Sequence, residues 1–247
     1  MKYFAKIKYL GTDFHGFQVQ PGKRTVQGEL CSALALAFGL PVKVTGCSRT
    51  DAGVHANEFA VTVECDGGTI PAERLPVSVA RFLPPDLSLY YARECDGDFH
   101  PRYDVKSKEY LYRIINRRIY DPFDYGRAWF LPRTVTDEGI ERMRRAAEFV
   151  VGRHDFSAFM SVGSDVEDTV RTVFYLDIRK CGDLIEIRIC ADGFLYNMVR
   201  IIVGTLVEIA CGRFEPSDME KIISSCDRKN AGMTAPPEGL YLNSVNY

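Results

Sequence analysis

The chain has 247 residues, with 31 Lys and Arg against 33 Asp and Glu, for a formal net charge of −2. Hydrophobic residues at 46% and charged residues at 26% are ordinary globular usage; this excludes a disordered chain, and the length suffices to bury a core without metal or disulfide staples. No run of about 18 uncharged apolar residues occurs, so no membrane span is expected.

In chain order, Tyr3–Tyr9 alternates like a strand and stops at Gly11. Lys2, Lys6 and Lys8 interrupt any apolar signal-peptide core there, which predicts a cytoplasmic protein. Val26, Leu30, Ala33, Leu34, Ala37 and Phe38 recur at helical spacing and are stopped by Gly39 and Pro41. Val42–Thr45 and Glu58–Cys65 read as strands, the second closed by Asp66-Gly67-Gly68. Lys108–Asn116 opens a similar series. Ile140, Met143, Ala147 and Val150 predict a helix ending at Gly152, and Val170–Ile178 and Leu184–Cys190 predict strands around a turn at Cys181-Gly182-Asp183. A long helix is expected from about Gly193 to Cys211. Ser217-Asp218-Met219-Glu220 reads as a capping box opening a short helix, and Leu240–Val245 as a closing strand. Strand, helix, strand, strand thus occurs in each half, which predicts an α+β fold with helices packed on antiparallel sheets.

Eight cysteines, at 31, 47, 65, 95, 181, 190, 211 and 226, form no C-x-x-C pair, and the four histidines are as scattered. Structural zinc needs closely spaced ligand pairs, so no metal is expected and the thiols read as reduced and mostly buried. The charge is uneven: +5 over residues 1–50, −6 over 51–99, +4 over 100–118, −2 over 119–182 and −3 over 183–247. The two basic stretches permit a polyanionic partner, although solvated surface charge gives the same tallies.

Three segments carry possible chemistry. In the expected long helix, apolar residues surround most of the circumference, yet Arg200 sits within it, and a buried guanidinium demands an anion. Taken alone, a structural ion pair with Glu208 or Glu186, or an arginine reaching out to solvent, is the plainer account of it. The loop Gly46–Ala56 gathers Arg49, Thr50, Asp51 and His55 between two apolar strands; Asp51-Ala52-Gly53 alone is a routine turn. Finally, Phe99-His100-Pro101-Arg102-Tyr103 precedes Lys106-Ser107-Lys108-Glu109-Tyr110-Leu111-Tyr112-Arg113, where Lys108, Tyr110 and Tyr112 share a strand face. Bases among aromatics suit phosphate contact plus base stacking, and a half-buried strand with lysine at its rim reads the same way.

Together these segments resemble the tRNA pseudouridine synthase A (TruA) family. Arg49-Thr50-Asp51-Ala52-Gly53-Val54-His55 is similar to its catalytic-aspartate signature. Tyr9-Leu10-Gly11 to Gly16-Phe17-Gln18 resembles its opening motif, Thr25-Val26-Gln27 precedes the first helix as in the family, and Phe99–Arg102 with Lys108–Tyr112 resembles the second motif. Phe194 to Gly204, with Met198-Val199-Arg200, resembles the third, and Pro237–Leu242 the usual ending. Leu10, Phe17 and Tyr196-Asn197 depart from the common residues, as does Cys47-Ser48 ahead of Arg49.

The resemblance implies two ferredoxin-like, RRM-like halves, 1–103 and 104–247, whose antiparallel sheets join across a central catalytic cleft. It implies a homodimer that isomerises uridine to pseudouridine in tRNA, at positions 38, 39 and 40 of the anticodon stem-loop. No cofactor is needed, because no group is imported and no net redox change occurs. Asp51 would be the catalytic carboxylate, serving either by attack on C1′ or by removing a ribose proton. Arg200 would pair with it and hold it ionised. Tyr110 would lie against the uracil and is a candidate for taking the C5 proton; a phenol's ordinary pKa of about 10 makes stacking its simpler role. Arg49 would hold the displaced nucleotide, with His55 nearby in the loop, and Arg24, Arg102, Lys106 and Lys108 are candidate phosphate contacts. The alternative is an RRM-like RNA-binding module without catalysis, which leaves Asp51, Tyr110 and Arg200 together unexplained. A zinc deaminase also flips its target, but His55-Ala56-Asn57 lacks the glutamate that chemistry requires.

Overall fold

The computed structural model describes residues 1–163 and 166–247. The chain divides into two compact units, Met1–Lys106 with Tyr241–Tyr247, and Ser107–Leu240. The break after Lys106 lies three residues beyond the expected boundary, and the C-terminal strand, expected with the second half, packs with the first.

In the first unit β1 (Lys2–Tyr9) is followed by α1 (Val26–Phe38), β2 (Lys43–Gly46), β3 (His55–Glu64), α2 (Leu75–Ala80) and β4 (Leu87–Glu94). β1 is central, antiparallel to β3 on one side and β4 on the other, and β2 pairs with the far edge of β3. This position explains its sequence: Tyr3, Phe4, Ala5, Ile7 and Tyr9 are all buried, while Lys8 points out. α1 starts where the Thr25 side chain accepts the Gly28 amide and ends at Gly39 in the left-handed region. Its face of Val26, Leu30, Ala33 and Leu34 is fully buried. α2 and β4 had no counterpart in the expected elements. β4 is an edge strand whose second half, Tyr90 to Glu94, is largely exposed.

In the second unit β5 (Ser107–Ile115) carries a two-residue parallel strand, β6 (Trp129–Phe130), on one side. Then come α3 (Asp137–Glu148), β7 (Gly152–Asp155), β8 (Val170–Cys181), β9 (Leu184–Ala191), α4 (Met198–Ala210) and α5 (Asp218–Ser225). β5, β9, β8 and β7 are neighbours in that order, all antiparallel, and β8 and β9 form a hairpin across Gly182-Asp183. α3 packs on α4 and on β8 through Ile140, Met143, Ala146 and Ala147.

The expected long helix begins five residues late. Asn197 lies in the left-handed region (φ 62°), so the backbone cannot run helically into Met198. Arg200 therefore sits in the first turn of α4, half-buried, and not in the middle of a buried helix. The capping box is also corrected. Ser217 has helical backbone angles and caps nothing, and it is the Asp218 carboxylate that accepts the Glu215 amide at 2.9 Å.

The final strand, β10 (Leu240–Asn246), runs parallel to β3, with Tyr241 and Leu242 opposite His55 and Ala56. β3 thus shares one edge between β10 at its start and β2 at its end. All eight cysteines are free; Cys47, Cys65 and Cys190 are buried, and the other five are at least partly exposed, fewer buried than expected. Among the described residues no helix is long and apolar enough to cross a membrane.

Candidate active site

The loop bearing Asp51 is held by the loop that follows β1. The Phe17 amide donates to the Thr50 carbonyl at 3.1 Å, and the Gly53 amide donates to the Phe14 carbonyl at 3.3 Å. Tyr9 and Thr50 share a buried hydroxyl hydrogen bond of 2.8 Å, and the Gly11 amide donates to His55 Nδ1 at 2.8 Å. Four contacts thus fix residues 50–55 against residues 9–17. Asp51 sits half-buried at the head of a tight turn, its carbonyl accepting the Val54 amide at 3.2 Å while Gly53 takes φ 80°. In a routine turn of this kind the Asp side chain would take the amide two residues on; here that amide is committed to Phe14.

His55 has a different role from the one expected. It is 0% exposed, its ring lies 4.4 Å from that of Tyr241 in a stacked arrangement, and Nδ1 accepts from Gly11. Buried in this way, it supports the loop from below and does not reach RNA. His55→Leu should therefore lower the unfolding free energy by about 1–3 kcal/mol, because the Gly11 amide loses its acceptor. Urea unfolding checks this, and tRNA affinity should stay within threefold of wild type.

Gly11 is required for a different reason. A Cβ at this position would lie 2.0 Å from the Val54 carbonyl oxygen. Gly11→Ala must push the Asp51 loop away, so we expect a loss of about 1–3 kcal/mol in thermal unfolding. Activity should fall by at least tenfold, because the loop is displaced.

The four candidate phosphate contacts divide. Arg24 is already paired: it makes two hydrogen bonds to the Asp86 carboxylate, at 2.7 and 2.8 Å, and its guanidinium lies 4.1 Å from the Phe14 ring. This pairing raises its pKa further, and the charge braces the loop after β1 instead of meeting an external anion. Arg102 and Lys106 are exposed on the segment that leads to β5, where the Lys106 amide donates to the Asn246 carbonyl. Lys108, half-buried, opens β5 opposite Ala191. Arg49 is exposed beside Asp51.

In the second unit Tyr110 lies on β5 opposite Ile189, 7% exposed, with the Phe194 ring edge-on at 4.9 Å. Phe194, from the irregular lead into α4, thus fixes the plane of the Tyr110 ring. Tyr112, two residues on, does not share a ligand-facing role. It is fully buried, packs edge-on against Trp129, and donates to the Pro236 carbonyl at 2.6 Å; burial pushes its phenol pKa well up.

Arg200 is oriented by two bonds within this unit. Nε donates to the Ala235 carbonyl and Nη1 to Asn197 Oδ1, both at 2.7 Å, while the Asn197 amide nitrogen donates to Ser161 Oγ at 3.0 Å. Glu208 is bonded to Arg213 at 2.7 Å, and Glu186 lies beside Arg113 and Arg188. The two carboxylates considered as structural partners for Arg200 are thus engaged elsewhere. Asn197, noted in the sequence only as a departure, turns out to be the residue that both ends the lead-in segment and aims the arginine. Among the described residues no group of three His, Cys, Asp or Glu side chains is arranged to hold a metal ion.

The family model described as tRNA pseudouridine synthase matches residues 5–104 and 146–247. The chain belongs to that family. Asp51 and Arg200 fall within the matched residues, and Tyr110 lies in the stretch between them. A protein named tRNA pseudouridine synthase A from Thermoanaerobacter sp. (strain X514) is 43% identical over 241 residues, covering 98% of this chain and 97% of its own. Its namesake from Exiguobacterium sp. (strain ATCC BAA-1283 / AT1b) is 42% identical over 245 residues, covering 98% and 96%. That from Bacillus pumilus (strain SAFR-032) is 39% identical over 249 residues, covering 100% and 99%. A chain in the crystal structure of a Cbf5-Nop10-Gar1 complex matches 97% of this one at 12% identity and a TM-score of 0.40, a likeness too distant to add to the assignment.

Proposed function

We propose that this enzyme isomerises uridine to pseudouridine on the 3′ side of the tRNA anticodon stem-loop, with Asp51 as the catalytic carboxylate. Isomerisation of uridine in tRNA follows from family membership over nearly the whole chain. The assignment to Asp51 rests on one observation: a half-buried carboxylate in a turn pinned at both ends by backbone bonds to the neighbouring loop. Such pre-positioning is what a charge-stabilising group needs, since a carboxylate held in place does not reorganise when the transition state forms.

The reaction breaks N1–C1′, turns the uracil over and joins C5 to C1′; the proton on C5 is lost and N1 gains one. C1′ becomes electron-poor as the base departs, and the Asp51 carboxylate meets that charge. Tyr110, largely buried and held edge-on by Phe194, is the proposed ring against which the detached uracil lies while it turns. Arg200, its guanidinium held by the Ala235 carbonyl and Asn197, is the proposed cation of the reaction. A uridine in a stem must first leave the stack, at a few kcal/mol (on the order of 3), and the exposed Arg49 holds the displaced nucleotide.

Each half is proposed to be ferredoxin-like. The first unit supports this with its strand, helix, strand, strand, helix, strand order and neighbours β4-β1-β3-β2. The acting species is proposed to be a cytoplasmic homodimer, in which basic strips from two subunits of net charge −2 line one groove. Light scattering on the purified protein tests the dimer. The positional claim is tested by incubating an unmodified tRNA transcript with the enzyme and mapping pseudouridine by chemical derivatisation. We expect it at the 3′ side of the anticodon stem-loop; modification confined to another arm would refute the positional reading.

A further inference from the structure

The first unit carries a groove of about 400 Å³ between the start of β2, the Arg49 loop and residues 100–103. Its lining includes Lys43, Arg49, His100, Arg102 and Tyr103 and contains no carboxylate. In a chain with a slight acidic excess, a concave surface lined by three cations and no acid is complementary to an anion. Lys43 is shared with Glu64 at 3.4 Å, but the guanidinium groups of Arg49 and Arg102 have no hydrogen-bond or acidic partner among the described residues.

The groove also presents an aromatic platform. Tyr103 is 75% exposed, and its ring lies 4.2 Å from the His100 ring at an interplanar angle of 31°. The platform is braced. His100 Nδ1 accepts the Arg102 and Tyr103 amides, the His100 amide donates to Asp104 Oδ2, and the Tyr247 hydroxyl donates to the Pro101 carbonyl at 2.7 Å. A tyrosine so exposed contributes little to the core, and its outer face is open to a second ring.

We propose that this groove holds the unpaired nucleotide next to the displaced uridine, with the phosphate that joins the two on Arg49 and Arg102 and its base stacked on Tyr103. The inference rests on the tRNA reading above and deepens it, by naming a site for a nucleotide other than the target uridine. Flat aromatic faces beside backbone cations bind single-stranded bases with little regard for sequence. An enzyme that flips a nucleotide unstacks its neighbours, and a platform for one of them favours the open conformation.

The test is the dissociation constant of an unmodified tRNA transcript, measured by filter binding over a range of salt, for wild type, Tyr103→Ala, Tyr103→Phe and Arg102→Ala. Tyr103→Ala should weaken binding roughly five- to hundredfold with an unchanged salt slope, because stacking releases no counterions. Tyr103→Phe should bind within twofold of wild type. Arg102→Ala should weaken binding and flatten the plot of log Kd against log salt by about one unit. Tyr103→Ala binding within twofold of wild type would overturn the proposal, as would equal weakening by Tyr103→Ala and Tyr103→Phe. Pseudouridine formation by the wild type on the same transcript reports separately on the underlying reading.

Discussion

Replacing Asp51 by Asn should reduce pseudouridine formation by at least ~10⁴-fold, which corresponds to a barrier increase of about 5.5 kcal/mol. The substitution is nearly isosteric, and the backbone contacts that shape the loop, Phe17 to Thr50 and Gly53 to Phe14, use no side-chain atom of Asp51. The loop should therefore keep its form, and tRNA should bind within a few-fold of wild type. What disappears, on the proposed assignment, is the negative charge that meets C1′. A neutral amide neither attacks C1′ nor takes a ribose proton, so the loss is expected by either route. Single-turnover assays with saturating enzyme isolate the chemical step. Turnover within tenfold of wild type would remove Asp51 from the mechanism.

Arg200→Met should lower activity by roughly 10²–10³-fold, the range seen when one preorganised charge-stabilising donor is removed. Methionine keeps much of the aliphatic packing at the start of α4 but abandons the Ala235 carbonyl and Asn197 Oδ1. Two acceptors lose a partner, so unfolding should become easier by about 1–3 kcal/mol. The activity loss should greatly exceed what that destabilisation explains at 25 °C, where the variant remains folded. Arg200→Lys should not restore activity, because an ammonium cannot reproduce the two divergent N–H bonds of the fork. Asn197→Ala should fall between wild type and Arg200→Met, since it removes one of the two anchors. An Arg200→Met enzyme within tenfold of wild type would place the arginine outside the reaction.

The elements that were legible in the sequence carry their own signals. α1 announces itself through Thr25, the four-residue rhythm from Val26 to Leu34, and Gly39. The β8–β9 hairpin shows as two β-branched runs around Gly182-Asp183. β4 was hidden because an edge strand with half its residues in solvent has no clean alternation, and α2 because it is six residues long with a proline in its first turn. The start of α4 is not visible in the sequence because Gly193 to Tyr196 continue the apolar run, and only the left-handed Asn197 interrupts it.

The candidate site was legible in its residue types but not in their surroundings. Nothing local distinguishes Arg24 from Arg49, yet Asp86, 62 residues away, neutralises the first, and among the described residues no partner reaches the second. His55 looked available because histidine is polar, but a parallel strand from the C-terminus covers it with Tyr241. Such pairings depend on tertiary structure, and neither spacing nor composition encodes them.

The most direct test follows the hydrogen on C5. A tRNA transcript labelled with tritium at C5 of uridine releases tritium to water when C5 becomes bonded to C1′. The account predicts one tritium released per modified uridine by the wild-type enzyme, and release at background when the uridines on the 3′ side of the anticodon stem-loop are replaced by cytidine. Undiminished release from the cytidine-substituted transcript would contradict the assigned position, and no release from the fully uridine-bearing one would contradict the isomerisation itself.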